Sequence, residues 1–446
     1  MTTQLFTNAN AALQTREIYP AERIPAAQLL TPAAVPSVEG FEGFGVAITA
    51  ASCRQLAQME QDARRSLLQD VYSDGGLGLS VGRVSIGSSD YSAELYSYDD
   101  TPFDKDLKHF SVARDEAYVI PMLCEVLQFR PDIRLLASPW SPPGWMKTGG
   151  LLCGGHMRRE YVSCYADYTV RFLEAYAAHG IPIAAVTPQN EPETHQSGRM
   201  PACIWHPELE AEYIKTLRKK LDEKGLNVGI WAWDYNFYGA PRVVWSLENI
   251  PGLKESCDGV AFHYYKGEIE KTAVIREKFP ALKLHFTEAG PRLYDHYDSD
   301  WCKWGIMISK ALRCGFSSFN GWNLLLDELG GPNIGPFFCG GLVTRHSITG
   351  ELSYSGQYKA LRHIAPYIKK DSKIYPLTSD LPARNSMSRF PQRAEPVEGF
   401  MAVRGEKPVF VLVNPDKDKA QTQFAANGRL WYAELPPDSI STIVFA

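Results

Sequence analysis

The sequence predicts a (β/α)8 barrel followed by a small antiparallel β domain. Two observations predict the barrel: eight short apolar runs recur along the chain, and helical patterns fill most of the intervals between them. A third observation predicts the second domain, because the strand-like runs beyond residue 367 are separated by turn residues and by no comparable helix. We therefore expect the barrel over 41–367 and the β domain over 368–446. Residues 1–40 carry several prolines and no sustained period, with a short strand near Ile18.

Each barrel strand is predicted from an apolar run bounded by glycine, proline or polar residues. The eight runs are 43–49, 82–87, 133–139, 183–190, 227–234, 259–265, 284–289 and 318–325. After the first run, helical spacing continues from Leu56 to Val71 as one amphipathic stretch. Two further helices are predicted over 161–178 and 208–224, each closed by a glycine. In the second domain, strands are expected over 400–404, 409–414 and 439–445.

Composition excludes several classes of partner. The net charge of -5 over 446 residues gives no reason to expect nucleic acid or an anionic membrane surface. No apolar run is long enough to span a bilayer, and the first ten residues lack the pattern of a signal peptide, so we expect a cytoplasmic protein. The nine scattered cysteines have no Cys-x-x-Cys pair and indicate reduced thiols. We expect no metal or organic cofactor. The sequence leaves open whether the protein forms a homo-oligomer.

Two apolar runs end in a glutamate. Glu191 follows the fourth run in the sequence Asn190-Glu191-Pro192, and Glu288 ends the seventh. A single glutamate at a strand end is most often solvated or paired with a lysine. Catalytic groups of a (β/α)8 barrel lie at the carboxyl ends of its strands, and two facing carboxylates are the minimum equipment for hydrolysing a glycosidic bond. The pair therefore predicts a glycosidase site.

Other polar residues near strand ends could serve these two carboxyl groups. A general acid needs a raised pKa, whereas a nucleophile needs hydrogen-bond donors around it. Donor candidates for Glu288 are Arg83, His263 and Tyr265, and Asn190 could hold a sugar hydroxyl beside Glu191.

Aromatic residues after the third and eighth strands suggest a sugar-binding wall. Trp140, Trp145 and Trp322 could stack on the C–H face of a pyranose, or they could pack as ordinary loop residues. Asp90 could accept hydrogen bonds from two hydroxyls, although a lone aspartate is more often a turn residue.

Several blocks together resemble glycoside hydrolase family 30, most closely its glucosylceramidase branch. They are 82–86, 96–102, 137–141, 186–192, 286–289, 322–324 and 330–333. The similarity runs in order from about Phe41 to Asp371. It implies that the C-terminal domain is a β-sandwich joined by N-terminal residues.

The resemblance also implies a retaining mechanism, with Glu191 as acid/base and Glu288 as nucleophile. The positions that it places in the glycone pocket are Asp90, Trp140, Asn190, His263, Tyr265 and Trp322. The chain departs from the family pattern at Ala50, where an aspartate is usual, at Tyr264, where a tryptophan is usual, and at Asp327-Glu328-Leu329. These departures concern the sugar and the aglycone, not the reaction.

The leading hypothesis is an exo-acting β-glycosidase for β-glucosides or β-xylosides. The enzyme alternatives are a β-1,6-glucanase, xylanase, β-fucosidase or β-glucuronidase; a glucuronidase needs a cation near C6, for which Lys147 and Arg345 are the candidates. A different class is a non-catalytic carbohydrate-binding protein, which the presence of both glutamates argues against.

Overall fold

The computed structural model describes residues 2–8, 11–380 and 397–445. Three strands precede the barrel, and they are β1 (Thr2–Asn8), β2 (Ala11–Ile18) and β3 (Gln28–Pro32). Only the second of these lies near the strand expected around Ile18. The short polar strands β1 and β3 carry no strong pattern and were not predicted.

A closed barrel of eight parallel strands follows. Its strands are β4 (Gly43–Ala47), β5 (Val81–Ile86), β6 (Arg134–Pro139), β7 (Ile183–Val186), β8 (Gly229–Asn236), β9 (Gly259–His263), β10 (Lys283–Glu288) and β11 (Phe316–Gly321). All eight predicted runs form barrel strands in the predicted order, and β11 pairs with β4 to close the ring. Because parallel barrel strands are buried on both faces, they read as continuous apolar runs. Their carboxyl ends meet at one rim of the barrel.

Helices surround the barrel. They are α1 (Ala50–Ala57), α2 (Gln61–Tyr72), α3 (Val119–Phe129), α4 (Val162–Ala178), α5 (Pro207–Glu223), α6 (Ala240–Asn249), α7 (Leu253–Ser256), α8 (Ala273–Lys278), α9 (Trp301–Arg313) and α10 (Gly356–Ile364). The helices predicted over 161–178 and 208–224 are confirmed as α4 and α5. The single stretch predicted from Leu56 to Val71 is wrong, because the chain leaves the helix after Ala57 and starts α2 at Gln61. The apolar spacing continues across the break, so periodicity cannot reveal it.

Three short strands lie between β11 and α10 in the chain: β12 (Leu325–Leu326), β13 (Val343–Arg345) and β14 (Leu352–Tyr354). The second domain then contributes β15 (Lys373–Ser379), β16 (Glu398–Arg404), β17 (Lys407–Asn414), β18 (Ala420–Ala426), β19 (Arg429–Leu435) and β20 (Ser439–Phe445). The strands predicted over 400–404, 409–414 and 439–445 correspond to β16, β17 and β20. Residues 381–396, inside the expected C-terminal domain, lie outside the described residues.

These strands form one nine-stranded sheet with the order β19-β18-β3-β15-β16-β17-β20-β1-β2. The sheet folds over on itself, because rings from strands that are not neighbours pack against each other. Phe410 of β17 lies 4.5 Å from Phe424 of β18, centroid to centroid, and Trp431 of β19 lies 5.1 Å from Phe445 of β20. N-terminal and C-terminal strands thus build one sandwich-like layer beside the barrel, as expected.

The sheet is fixed to the barrel through α9 and α10. The indole N–H of Trp301 on α9 donates to the carbonyl of Asp438, and the buried His363 on α10 bonds the hydroxyl of Thr7 and contacts that of Thr442. Across the residues that the structure describes, no helix combines the length and apolar character needed to cross a bilayer.

Candidate active site

The two predicted glutamates face each other at the carboxyl rim of the barrel. Glu288 is the last residue of β10, and Glu191 follows β7 by five residues. One oxygen of each carboxylate and the Nδ1 of His263 all lie within 4.8 Å of one another. Both carboxyl groups are almost fully buried, with Glu191 8% and Glu288 6% exposed.

A third carboxylate, Asp234 of β8, lies beneath the pair and is fully buried. It accepts a hydrogen bond from the guanidinium of Arg83 at 2.8 Å and contacts Nε2 of His263 at 3.1 Å. Three hydroxyl groups complete its surroundings at 2.7–2.9 Å, those of Ser138, Thr187 and Thr287. Burial alone would raise the pKa of Asp234, but Arg83 and His263 hold that pKa well below its usual range. Asp234 is therefore an ionised hub of the site.

Arg83 of β5 connects the hub to the rim. Its side chain is fully buried, and it donates to Glu288 Oε2 at 2.5 Å, to Asn190 Oδ1 at 2.8 Å and to Asp234. Burial disfavours its charge, yet the two carboxylates raise the pKa of Arg83. The hydroxyl of Tyr265 donates to the other oxygen of Glu288 at 2.9 Å. Glu288 is thus oriented on both oxygens by the donors that the sequence suggested.

His263, the last residue of β9, contacts the same three carboxyl groups. Its Nδ1 lies 3.3 Å from Glu191 Oε1 and 3.8 Å from Glu288 Oε1, while Nε2 faces Asp234. Burial works against protonation, but Glu288 and Asp234 raise the pKa of His263 to about 9. At neutral pH the imidazole is a cation between carboxylates.

Glu191 is buried, and its backbone is strained. Burial raises its pKa, and the nearby His263 only partly offsets that effect. Its backbone has φ 51°, a left-handed conformation that is uncommon for a non-glycine residue, and its N–H donates to the carbonyl of Asp234 at 3.0 Å. Asp234 itself has φ 60°. The strained backbone is fixed by this bond between two strand ends, which aims the Glu191 side chain into the site.

An aromatic wall lies next to the carboxylates. Trp140 and Trp322 stack with centroids 5.2 Å apart, and the Arg83 guanidinium lies 4.8 Å from the Trp140 ring. Tyr91 meets Trp322 edge to face. Asp90 is buried in this region, one of its oxygens has no hydrogen-bond partner among the described residues, and burial together with Glu288 and Glu191 raises its pKa well above the usual range. An unsatisfied acceptor here is ready for a ligand hydroxyl.

The structure does not place three other candidates at the carboxylates. The indole N–H of Trp145 donates to the carbonyl of Asp99, and the ring packs against Tyr161, so it belongs to loop packing rather than to a sugar wall. Lys147 donates to three backbone carbonyls, and burial lowers its pKa to about 8. Arg345 reaches Gln55 on α1. Residue type and distance from a strand end did not reveal where these side chains turn.

The sequence reasoning missed Asp234, although a signal was present. The run 227–234 ends in an acidic residue, and Glu191 and Glu288 likewise lie at the ends of the runs 183–190 and 284–289. The hydroxyls of Ser138, Thr187 and Thr287 carried no such signal, because serine and threonine are common in any strand.

The atoms of Glu191, His263 and Glu288 also form a set that could hold a metal ion. The positive charge of Arg83 and the raised pKa of His263 oppose a cation at that point. This arrangement favours proton transfer and hydrogen bonding over metal binding.

An eight-stranded parallel barrel with two glutamates facing each other at the ends of its fourth and seventh strands defines a barrel glycoside hydrolase. A model of the glycosyl hydrolase family 30 TIM-barrel domain matches residues 41–366. The chain belongs to glycosyl hydrolase family 30.

Named relatives carry two kinds of name. Putative glucosylceramidase 4 of Caenorhabditis elegans is 29% identical over 458 residues, which cover 92% of this chain and 82% of that protein. Endo-1,6-beta-D-glucanase of Neurospora crassa is 27% identical over 348 residues, 74% of this chain and 71% of that protein. Among solved structures, that of SrfJ from Salmonella typhimurium has a TM-score of 0.90 at 24% identity, covering 100% of this chain and 99% of that one.

Proposed function

We propose that this glycoside hydrolase is a retaining, exo-acting β-glycosidase that hydrolyses β-glucosides or β-xylosides. One observation carries the retaining mechanism: an oxygen of Glu191 and an oxygen of Glu288 lie within 4.8 Å of each other. Retaining enzymes hold their carboxyl groups about 5 Å apart, whereas inverting enzymes leave about 6.5–9.5 Å for a water molecule. The short separation supports direct attack by one carboxylate on the anomeric carbon.

In this proposal Glu288 is the nucleophile. Arg83 and Tyr265 each hold one of its oxygens. Glu288 attacks the anomeric carbon and forms a covalent glycosyl-enzyme, while the aglycone leaves with a proton from Glu191. Glu191 then removes a proton from water, and the water displaces Glu288 and releases the sugar.

The environment of Glu191 suits the acid role. Its raised pKa keeps the proton available for the leaving oxygen, and this fits an acid that must be protonated before the first step. Once Glu288 is covalently bound it no longer carries charge. Its repulsion of a charged Glu191 then disappears, so Glu191 can act as a base in the second step.

The exo assignment rests on the closed side of the site. Asp90, Tyr91, Trp140 and Trp322 are all buried, and one Asp90 oxygen there lacks a hydrogen-bond partner. A single terminal sugar could occupy this side, with its hydroxyls satisfying Asp90. The name glucosylceramidase carried by relatives also supports removal of one terminal sugar.

A panel of aryl β-glycosides tests the proposal: glucoside, xyloside, fucoside, galactoside and glucuronide, each with wild type and Glu288→Gln. We expect turnover of the glucoside or xyloside and its loss by at least about 10⁴-fold in the variant, because the nucleophile is gone. Retention is read by NMR from the first-formed anomer of the released sugar. An inverted first product would overturn the retaining assignment.

The second candidate is an endo-β-1,6-glucanase, which the name of the Neurospora crassa relative favours. Chain-length analysis of products from a β-1,6-glucan distinguishes the two. Release of glucose alone from the start of the reaction supports exo action, whereas early appearance of longer oligosaccharides supports endo action.

A further inference from the structure

An arginine at the rim of the site forms no ion pair with a carboxylate in the described part of the chain. Arg292 lies on the loop after β10, four residues beyond Glu288. Its guanidinium carbon is 5.8 Å from the ring centroid of Tyr265, whose hydroxyl holds Glu288. On its other side the guanidinium contacts the hydroxyl of the exposed Tyr294 at 3.0 Å. Arg292 is therefore half-buried against the aromatic ring that borders the nucleophile.

No carboxylate oxygen of a described residue lies within 4.0 Å of this guanidinium, the limit for an ion pair. The neighbouring Asp295 pairs instead with Lys303 at 2.8 Å. Within the site itself, Arg83 is fully occupied by Glu288, Asn190 and Asp234. Arg292 is thus a cation near the site whose guanidinium is still available for an anion.

A second cation occupies the adjacent loop. Lys266 follows Tyr265 directly, and its ammonium lies 5.3 Å from the ring centroid of Tyr238. Tyr238 in turn donates to Glu193, two residues beyond Glu191. The loops after β9 and β10 therefore each place a cation beside an aromatic ring of the rim, in a chain whose overall charge is -5.

The charge of the glycone side is opposite. Asp90 is a carboxyl group with one oxygen that has no hydrogen-bond partner among the described residues, and burial together with the nearby Glu288 and Glu191 raises the pKa of Asp90. A sugar carrying its own carboxylate or phosphate would be repelled there, whereas neutral hydroxyls would be accepted. An anion recognised by Arg292 then belongs to the part of the substrate beyond the scissile bond.

We propose that this enzyme selects substrates with a neutral glycone and an anionic aglycone, and that Arg292 binds the aglycone's carboxylate or phosphate group. The inference rests on the proposed glycosidase function of Glu191 and Glu288. It concerns a different part of the substrate from Lys147 and Arg345, which the sequence offered as cations near C6 of a glucuronide sugar.

The test compares two matched substrates: the 4-(carboxymethyl)phenyl β-glycoside and its methyl ester, each with the sugar that the aryl panel identifies. The methylene group insulates the phenol from the carboxylate, so leaving-group acidity is nearly the same in both. We expect wild type to favour the carboxylate by about tenfold in kcat/KM, the size of one charge-assisted hydrogen bond. A 4-(phosphonomethyl)phenyl glycoside distinguishes a preference for phosphate-like anions from one for carboxylates.

The variants are Arg292→Gln and Arg292→Lys. The control is Arg159→Gln, which also removes one positive charge; Arg159 lies in the turn just before α4, where its side chain is 67% exposed. The ratio of the two kcat/KM values is the readout, since losing the contact with Tyr265 lowers both rates together. We expect the ratio to fall to about 1 in Arg292→Gln, to survive in part in Arg292→Lys and to be unchanged in Arg159→Gln.

Each outcome has a definite meaning. A wild-type ratio near 1, or a ratio that persists in Arg292→Gln, overturns the inference while leaving the proposed function intact. Turnover of neither substrate by wild type overturns the proposed function, and the inference with it. An equal fall of both rates with an unchanged ratio shows that Arg292 only positions Tyr265.

Discussion

Two buried aspartates show how differently this molecule treats a carboxyl group. Asp234 lies under the active site and has two cationic neighbours, Arg83 and His263, as well as three hydroxyls. Asp115 lies just before α3 and forms no ion pair with any described residue. Its oxygens accept from the phenols of three tyrosines at 2.5–2.6 Å, Tyr96, Tyr98 and Tyr176. Burial raises the pKa of Asp115, whereas the pKa of Asp234 is held low.

The difference follows from what each carboxyl group holds in place. Asp115 ties Tyr96 and Tyr98, which belong to the long loop after β5, to Tyr176 on α4, so it anchors the loop that carries Asp90. Neutral donors suffice for an anchor. Asp234 balances charges on which the reaction depends, and it can do so only as an anion. We therefore expect substitutions at the first to alter stability and those at the second to alter catalysis.

After the loss expected for Glu288→Gln, the largest effect should come from Glu191, the proposed acid, whose N–H bonds the carbonyl of Asp234. We expect Glu191→Gln to lower kcat/KM by about 10³-fold for substrates with poor leaving groups, because those need a proton, and by much less for activated aryl glycosides. The measurement is a series of aryl glycosides of graded phenol pKa. Equal losses along the whole series would assign the acid role to another residue.

Asp234→Asn should follow, with kcat reduced by about 10²-fold. The amide cannot neutralise Arg83 and His263 together, so the pKa of His263 falls and the orientation of Glu288 loosens. The control is Asp115→Asn, for which we expect kcat within about threefold of wild type. Steady-state kinetics measure both variants after circular dichroism confirms that they fold. Similar losses of kcat in the two variants would contradict the different roles assigned to Asp234 and Asp115.

Removal of the other carboxyl group should act on stability. Asp115→Ala leaves three buried phenols without their acceptor, and we expect the free energy of unfolding to fall by about 3 kcal/mol. Urea denaturation measures it. Tyr176→Phe, which removes one donor only, should cost about 1 kcal/mol, and a larger loss from Tyr176→Phe than from Asp115→Ala would contradict the anchor.

The smallest effect is a difference in pH dependence. Because the folded-state pKa of Asp115 is raised above the ordinary 3.8, wild type is favoured over Asp115→Asn below that value and loses the advantage as pH rises through the folded pKa. The pKa of Asp234 is lowered, so its advantage is complete above 3.8 and is lost only as pH falls further. As pH rises from 3.8 the wild-type advantage over Asp115→Asn should shrink, while that over Asp234→Asn stays constant. Urea midpoints at several pH values check both slopes.

The barrel was predictable because burial on both faces leaves a continuous apolar run in the sequence. The second domain was predicted less completely. Its strands β18 and β19 contain the polar residues Gln421, Gln423 and Arg429, and Gln423 is buried, so they lack a clear apolar pattern. The break between α1 and α2 was not predicted, for the opposite reason. Leu56 and Met59 keep the apolar spacing of a helix at a point where the helix does not continue.

The site was predictable where a residue type is unusual in its place. A glutamate that ends an apolar strand is such a case, and both Glu191 and Glu288 were found in this way. The direction of a long side chain depends on how the loops around it fold. Lys147 turns toward the carbonyls of Leu152, Gly154 and Ala202, and nothing near it in sequence indicates this.

The folded-over sheet has a consequence for synthesis. The strand β1 finds its partners in β2 and in β20, where Thr2 pairs with Phe445. During translation β1 leaves the ribosome long before β20, so one of its edges stays open until β20 follows. A ribosome stalled before Ser439 would hold a chain with the whole barrel sequence made and an unpaired β edge exposed, which is the kind of surface that chaperones bind and that aggregates form upon.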